Sequence, residues 1–202
     1  MDFDVLIIGA GAAGLSCALV LGSAKEKSYS KNKSVGIILH QKASHLQSAV
    51  INNALGINPG TNGAAILREG AVHLKKLYPH VLQVEKEKVQ EITAKGEGFE
   101  VRTNKNSYKS PIVVIAVGYT DLVRIKGLEQ YIIPHKKSPV EKSRIQLINE
   151  DHLVAPGLYV AGTLAGHRSQ YAIACGSGAA VATDILTVWN NGVHTKVHDK
   201  LE

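Results

Sequence analysis

Short, unbroken apolar runs recur along the chain, each followed by a glycine turn or a small-residue stretch. Val5-Leu6-Ile7-Ile8, entered through Asp4, is a β-branched run of the kind that forms a strand buried on both faces. Leu15-Ser16-Cys17-Ala18-Leu19-Val20-Leu21 then reads as a buried helix, and the polar, lysine-rich residues 22–34 as a long loop. Val35-Gly36-Ile37-Ile38-Leu39 predicts a second buried strand, parallel to the first. Residues 49–56 and the turn Asn58-Pro59-Gly60 lead into a helix over residues 63–77, with apolar positions Ala64, Leu67, Ala71, Leu74 and Leu77 at helical spacing. Residues 81–84 predict a short strand. Alternating residues 89–92 and 99–103, joined at Gly96-Glu97-Gly98, predict an antiparallel meander laid on the core. Ile112-Val113-Val114-Ile115-Ala116 is a third buried strand and residues 157–162 a last one, with a long small-residue helix over 170–189. Residues 119–146, broken by Gly127, Pro134 and Pro139, predict a connector with one short strand at most. The expected fold is a single α/β domain over residues 1–202, Rossmann-like, with a parallel core sheet, helices and an antiparallel β-meander. Its core would comprise residues 1–118 and 147–190, joined by the connector 119–146.

The join between the first strand and helix carries the first chemical signal. Gly9-Ala10-Gly11-Ala12-Ala13-Gly14 fits G-x-G-x-x-G in the strand–turn–helix context that gives this pattern meaning. Gly9 makes the tight turn, Gly11 lets backbone approach a pyrophosphate, and Gly14 lets the helix pack close to the strand. Unpaired N–H groups at the helix start then face the anion. No lysine follows Gly14, which excludes a mononucleotide P-loop. A ligand-free βα turn is the plain alternative, but it does not need three glycines at this spacing. At the end of the second strand, where an acid binds the adenosine ribose, stand His40 and Gln41. Lacking both an acid and an arginine, the position favours neither NAD nor NADP.

Composition narrows the surroundings. With 45% hydrophobic residues the chain has enough apolar material for a core, so disorder is not expected. Strand residues begin immediately after Met1-Asp2-Phe3, leaving no room for a leader, and no uninterrupted apolar run reaches the ~18 residues of a membrane span. The formal charge of +6 is spread over lysine clusters with few aromatics among them, a pattern of solvated loops rather than a nucleic-acid surface. Such a surface can still help recruit an anionic dinucleotide. Cys17 and Cys175 form no C-x-x-C pair; buried packing in a reducing, cytoplasmic compartment is the expectation. His45, His73, His80, His135, His152, His194 and His198 lack metal-ligand spacing and are expected at the surface, with no metal site. No nucleophile-elbow context surrounds Ser16 or Ser177.

Four blocks in order resemble one family: Gly9 to Gly14, Ile51-Asn52-Asn53 to Gly56, Ala116-Val117-Gly118, and residues 157–178. Of these, Gly162-Thr163-Leu164-Ala165-Gly166-His167 followed by Gln170-Tyr171-Ala172-Ile173-Ala174-Cys175-Gly176-Ser177-Gly178 is the most specific. Together they are similar to the FAD-binding half of thioredoxin-reductase-like pyridine nucleotide-disulfide oxidoreductases. The resemblance implies that Gly9, Gly11, Ala12, Ala13 and Gly14 cradle the FAD pyrophosphate, with His40 and Gln41 beside the ribose. The Val89 backbone would meet the adenine, and Asn53 would lie near the flavin ring. Ala116, Gly118 and Gly162 would pass close to the cofactor, and Thr163 would face its ribitol or pyrophosphate. Gln170, Tyr171 and Ala172 would meet the pyrimidine edge, where helix N–H groups stabilise negative charge on the reduced ring.

This sequence departs from the family pattern in three places. His40 and Thr163 stand where the family carries acids, and residues 119–146 replace a complete NADPH-binding domain with its redox C-x-x-C. The resemblance therefore implies a stand-alone FAD domain without disulfide reductase activity. It would be a small oxidoreductase supplied with electrons by NAD(P)H or a redox partner protein docking where the missing domain leaves the flavin exposed. A non-catalytic flavin or dinucleotide module, serving as a sensor or a subunit of an assembly, is the alternative. NAD(P) in the first fold would leave the late block unexplained. His167 is the candidate acid–base residue and Tyr171 a candidate ring contact; neither a nucleic acid nor a membrane is an expected partner, and a homodimer remains open.

Overall fold

The computed structural model describes residues 2–39, 44–118 and 125–198. The chain runs β1 (Val5–Ile8), α1 (Ala12–Ser23), β2 (Val35–Ile38), β3 (Val50–Ile51), β4 (Thr61–Asn62), α2 (Gly63–Leu77), β5 (Val81–Val84), β6 (Val89–Lys95), β7 (Gly98–Thr103) and β8 (Ser107–Ser110). It continues through β9 (Ile112–Ile115), β10 (Ile132–Pro134), β11 (Ile145–Leu147), β12 (Leu153–Ala155), β13 (Leu158–Val160) and α3 (Tyr171–Trp189). β1 lies inside a six-stranded sheet of order β12-β13-β9-β1-β2-β5, parallel except for the antiparallel edge strand β12. All of β1, β2, β9 and β13 is buried, because both faces of the sheet are covered.

Successive side chains of each strand serve opposite layers. Val5, Ile7, Val35, Ile37 and Val114 face the layer of α1 and α3, where Ala18, Leu21, Val181 and Ile185 meet them. Leu6, Ile8, Ile38, Val113 and Ile115 face the other layer, packed with Ile92, Val101 and Tyr108 of the meander and with Leu128, Leu147 and Leu164. β6, β7 and β8 form that antiparallel meander. On the first layer α1 and α3 touch almost backbone to backbone: a Cβ at Gly178 would overlap the Ala13 carbonyl oxygen. α3 has the length and composition of a membrane-crossing helix, but Val181, Ala182, Ile185 and Leu186 are buried in the core of this fold.

The four core strands, α2 and the long last helix follow the sequence pattern. Val81–Val84, expected only as a short strand, extends the parallel sheet beside β2. Residues 125–146, the described part of the expected connector, hold more structure than a single strand: β10 pairs antiparallel with β11, which runs on to Leu147. β8 is a further strand, hidden by its alternating polar residues, and β3, β4 and β12 are others too short to show a pattern. Among the histidines expected at the surface, His135 is 5% exposed and His152 is half-buried. Each is drawn inward by a polar partner that the sequence spacing does not reveal. Cys17 is buried as expected, whereas Cys175, on the outer part of α3, is only partly buried.

Candidate functional site

A cavity of about 850 Å³ opens at the carboxyl ends of the parallel strands, with Leu39 after β2, Ala116 after β9 and Ala161 after β13 in its wall. Open α/β sheets bind ligands in this position. Its floor is the glycine turn. Gly9 has φ +104°, and a Cβ there would stand 2.7 Å from the Ala116 carbonyl oxygen, so only glycine lets the chain turn this tightly against β9. A Cβ at Gly14 would overlap the Gly9 carbonyl oxygen, so its missing side chain brings α1 down onto the turn. Gly11 is open by contrast; the nearest atom to a Cβ there is Ser44 Oγ at 3.8 Å.

Two helices start at this cavity, and neither start is closed. α1 has Gly11 at its N-cap and α3 has Gln170; no side chain accepts a hydrogen bond at either end, and neither first turn contains an acid. α2 shows the ordinary solution, with the Asn62 side-chain oxygen accepting the Ala64 N–H at 2.8 Å. The donors of α1 and α3 are thus left for a guest, and an anion is what such donors hold.

Gly9, Gly11, Ala12 and Ala13 line the cavity together with Asn53, Ala116 and Gly118. From the late block, Gly162, Thr163, Gln170 and Tyr171 line the same space. Four expected positions do not. Gly14 serves packing behind the turn, and Ala172 is exposed on α3 outside the lining. Val89 is buried in the layer on the opposite face of the sheet, and His167 sits behind the wall with its ring against His152. His40 and Gln41 lie outside the described residues.

Sequence reasoning missed Ser44, His45 and Arg68, all of them in the wall. Arg68 had a signal: it falls on the helical stripe of Ala64, Leu67 and Ala71, where a charge is out of place. Ser44 and His45 come from a 3-10 turn, His45–Ser48, in an irregular segment with no periodic pattern. Among the described lining residues there is no Asp or Glu, and Arg68 is the single permanently charged side chain. Its ion pair with Glu69 is long, 3.7 Å, and both partners are exposed, so little holds the guanidinium away from a guest. Burial, followed by a hydrogen bond with the Cys175 side chain, pushes the Tyr171 hydroxyl up to about 12, so it keeps its proton at neutral pH.

The family model described as pyridine nucleotide-disulphide oxidoreductase matches residues 3–178. A thioredoxin reductase from Gloeobacter violaceus superposes with a TM-score of 0.72 at 16% identity, over 99% of this chain and 99% of that one. T. acidophilum thioredoxin reductase gives a TM-score of 0.65 at 18% identity, over 95% of this chain and 99% of that one. An oxidoreductase from Agrobacterium tumefaciens gives 0.68 at 15% identity, over 96% and 99%. Identities this low establish likeness of fold. No curated protein matched the sequence.

Proposed function

The chain belongs to the pyridine nucleotide-disulphide oxidoreductase family, and on that premise we propose that it binds FAD along the cavity and acts as a small flavin-dependent oxidoreductase. One observation carries this reading: the uncapped N-termini of α1 and α3, far apart in sequence, open on the same space. An elongated guest with a pyrophosphate near Gly11 and an electron-rich ring edge near Gln170 and Tyr171 matches both ends. The volume is also within the ~300–1,000 Å³ usual for ligand sites. The residues fit the group. The open face at Gly11 admits a phosphate, the neutral groups of Asn53, Thr163 and Gln170 can hydrogen-bond hydroxyls and ring atoms, and no described carboxylate repels the anion.

When bound, the flavin supplies the electron-transfer chemistry, while the protein orients it and sets its surroundings. Tyr171 holds a proton at its hydroxyl, and the first-turn N–H groups of α3 favour negative charge at that end. Dithiol exchange has no place in this reading, since Cys17 is buried and Cys175 is its only companion. Electrons would come from NAD(P)H or from a partner protein. The described part of residues 119–157 holds short antiparallel strands and 3-10 turns in place of a second nucleotide-binding unit. This same feature favours the competing reading, a flavin module without turnover.

A visible spectrum of the purified protein, with FAD added if necessary, tests the cofactor. Anaerobic mixing with NADH and with NADPH tests turnover. Flavin absorbance that bleaches supports the enzyme; a bound flavin inert to both nicotinamides and to redox proteins supports the module. A protein that takes up no FAD overturns both.

A further inference from the structure

Behind the α3 end of the cavity, a serine and three histidines grip the backbone of its wall. Ser177, 5% exposed on the inner side of α3, accepts the Gly162 N–H at 2.8 Å. The same Ser177 Oγ lies 2.9 Å from His152 Nε2, which is also 3.0 Å from His167 Nε2. The two rings stand 5.2 Å apart between centroids, tilted by 42°. His135 Nε2 meets the Thr163 carbonyl at 3.1 Å. The 3-10 turn Gly162–Ala165, whose first two residues line the cavity, is therefore held from behind at both of them. The next segment, which carries Ser169 and Gln170 into the lining, is held at His167.

Proton count follows from this geometry. The His152 ring also hydrogen-bonds the Asp151 backbone, which leaves its neutral Nε2, with one lone pair, to accept either from the Ser177 hydroxyl or from His167 Nε2–H. One added proton can be shared, because Ser177 Oγ has lone pairs for both Gly162 N–H and a His152 N–H. Two cannot: a pair of imidazolium N–H donors would face each other at 3.0 Å, alike in charge and neither able to accept from the other. The surrounding charge does not relieve this. His167 is faced by His152, Lys137 and His135, and among the described residues the acid acting on His152 is Asp151. Burial first, then these cations, holds His167 below its ordinary range; burial also lowers His152 against the opposing pull of Asp151.

We infer that His152 and His167 are positioning residues that form a proton-sensitive clasp, holding the wall at Gly162 through Ser177 near neutral pH and releasing it when both rings are charged. The released state binds protons more readily, so acid favours it, starting below the ordinary histidine value of about 6.5. The consequence for FAD affinity rests on the cofactor reading above; the clasp itself does not.

The primary test uses ¹⁵N-labelled protein without added cofactor, titrated from pH 8 to pH 5. The Gly162 amide resonance should move with the same midpoint as the His152 and His167 imidazoles. In His167→Gln, a substitution at a half-buried loop residue, and in His152→Asn, that movement should vanish. A Gly162 amide that stays fixed while the imidazoles titrate, or that moves identically in both variants, overturns the clasp. In the second arm, FAD affinity of the wild type should fall about tenfold between pH 7.5 and pH 5.5, the change that one pKa unit of coupling produces. His167→Gln should flatten that profile, and an unchanged profile in this variant counts against the clasp. Absence of FAD binding at every pH overturns the cofactor reading instead, and the amide titration still decides the clasp.

Discussion

Glu87, between β5 and β6, is 7% exposed, yet its carboxylate is fully engaged. It accepts from Thr103 Oγ1 at 2.7 Å, Asn106 Nδ2 at 2.6 Å and Tyr108 Oη at 3.0 Å, tying the loop before the meander to the β7–β8 turn. Burial pushes its pKa up, but these three bonds and the nearby Lys105 outweigh it and hold the group below the usual glutamate range. The sign follows: the stabilisation is present above the unfolded value of about 4.3 and is lost as pH falls through the lower folded value. Glu87→Gln should therefore cost about 1–3 kcal/mol at pH 7, with the gap to wild type closing toward pH 3. Denaturant unfolding at the two pH values measures this, and an equal gap at both would show that the charge is not what matters. None of this was legible in the sequence, where Glu87 sits in a run of charges between two strands and its partners lie 16 to 21 residues further on.

α1 and α3 lie against the same face of the sheet, and their contact is made by small residues. Of the two glycines in the middle of α3, a Cβ at Gly178 would overlap the Ala13 carbonyl oxygen, whereas one at Gly176 would meet nothing within 4 Å. Gly178→Ala should lower stability by at least about 1–3 kcal/mol through forced separation of the helices. Gly176→Ala, exposed in a helix interior, should raise it by about 0.5–1 kcal/mol. Opposite shifts in thermal unfolding midpoint check the pair; shifts of the same sign would mean that the helices do not meet as described. A sequence in which small residues occupy every side of α3 gives no means to tell these glycines apart. Elements were legible where burial is uniform or one-sided: β1, β2, β9 and β13 contain no charged residue, and α2 shows a helical apolar stripe broken only by Arg68. β8 was hidden because Ser107 and Lys109 alternate with buried Tyr108 and Ser110. β10, β11 and β12 have only three residues each, too few for a period to show.

At the scale of the whole molecule, charge and topology converge on the cavity. The glycine turn and the late block were legible because local spacing encodes them, and the structure brings Gly11 and Gln170 to one space. Ser44 and the Ser177–His152–His167 cluster were not, because only the tertiary fold brings them to or behind that wall, and Arg68 showed only as a charge on the α2 stripe. Their sum is a cavity whose described lining offers a guanidinium, hydroxyls and two open helix starts, with no carboxylate. Such a site should bind ligands through their phosphates, so affinity for ADP should fall as salt rises. Arg68 is exposed, and an exposed ion pair contributes about 0.2–1 kcal/mol. Arg68→Gln should therefore weaken ADP and FAD by roughly 1.4- to fivefold and reduce the salt dependence of both. Riboflavin carries no phosphate and should bind the variant and the wild type alike. Calorimetric titration of the three ligands at low and high salt separates the outcomes. Equal losses for riboflavin and ADP would mean that Arg68 shapes the wall rather than meeting an anion, and salt-independent ADP binding would remove the electrostatic account of the cavity altogether.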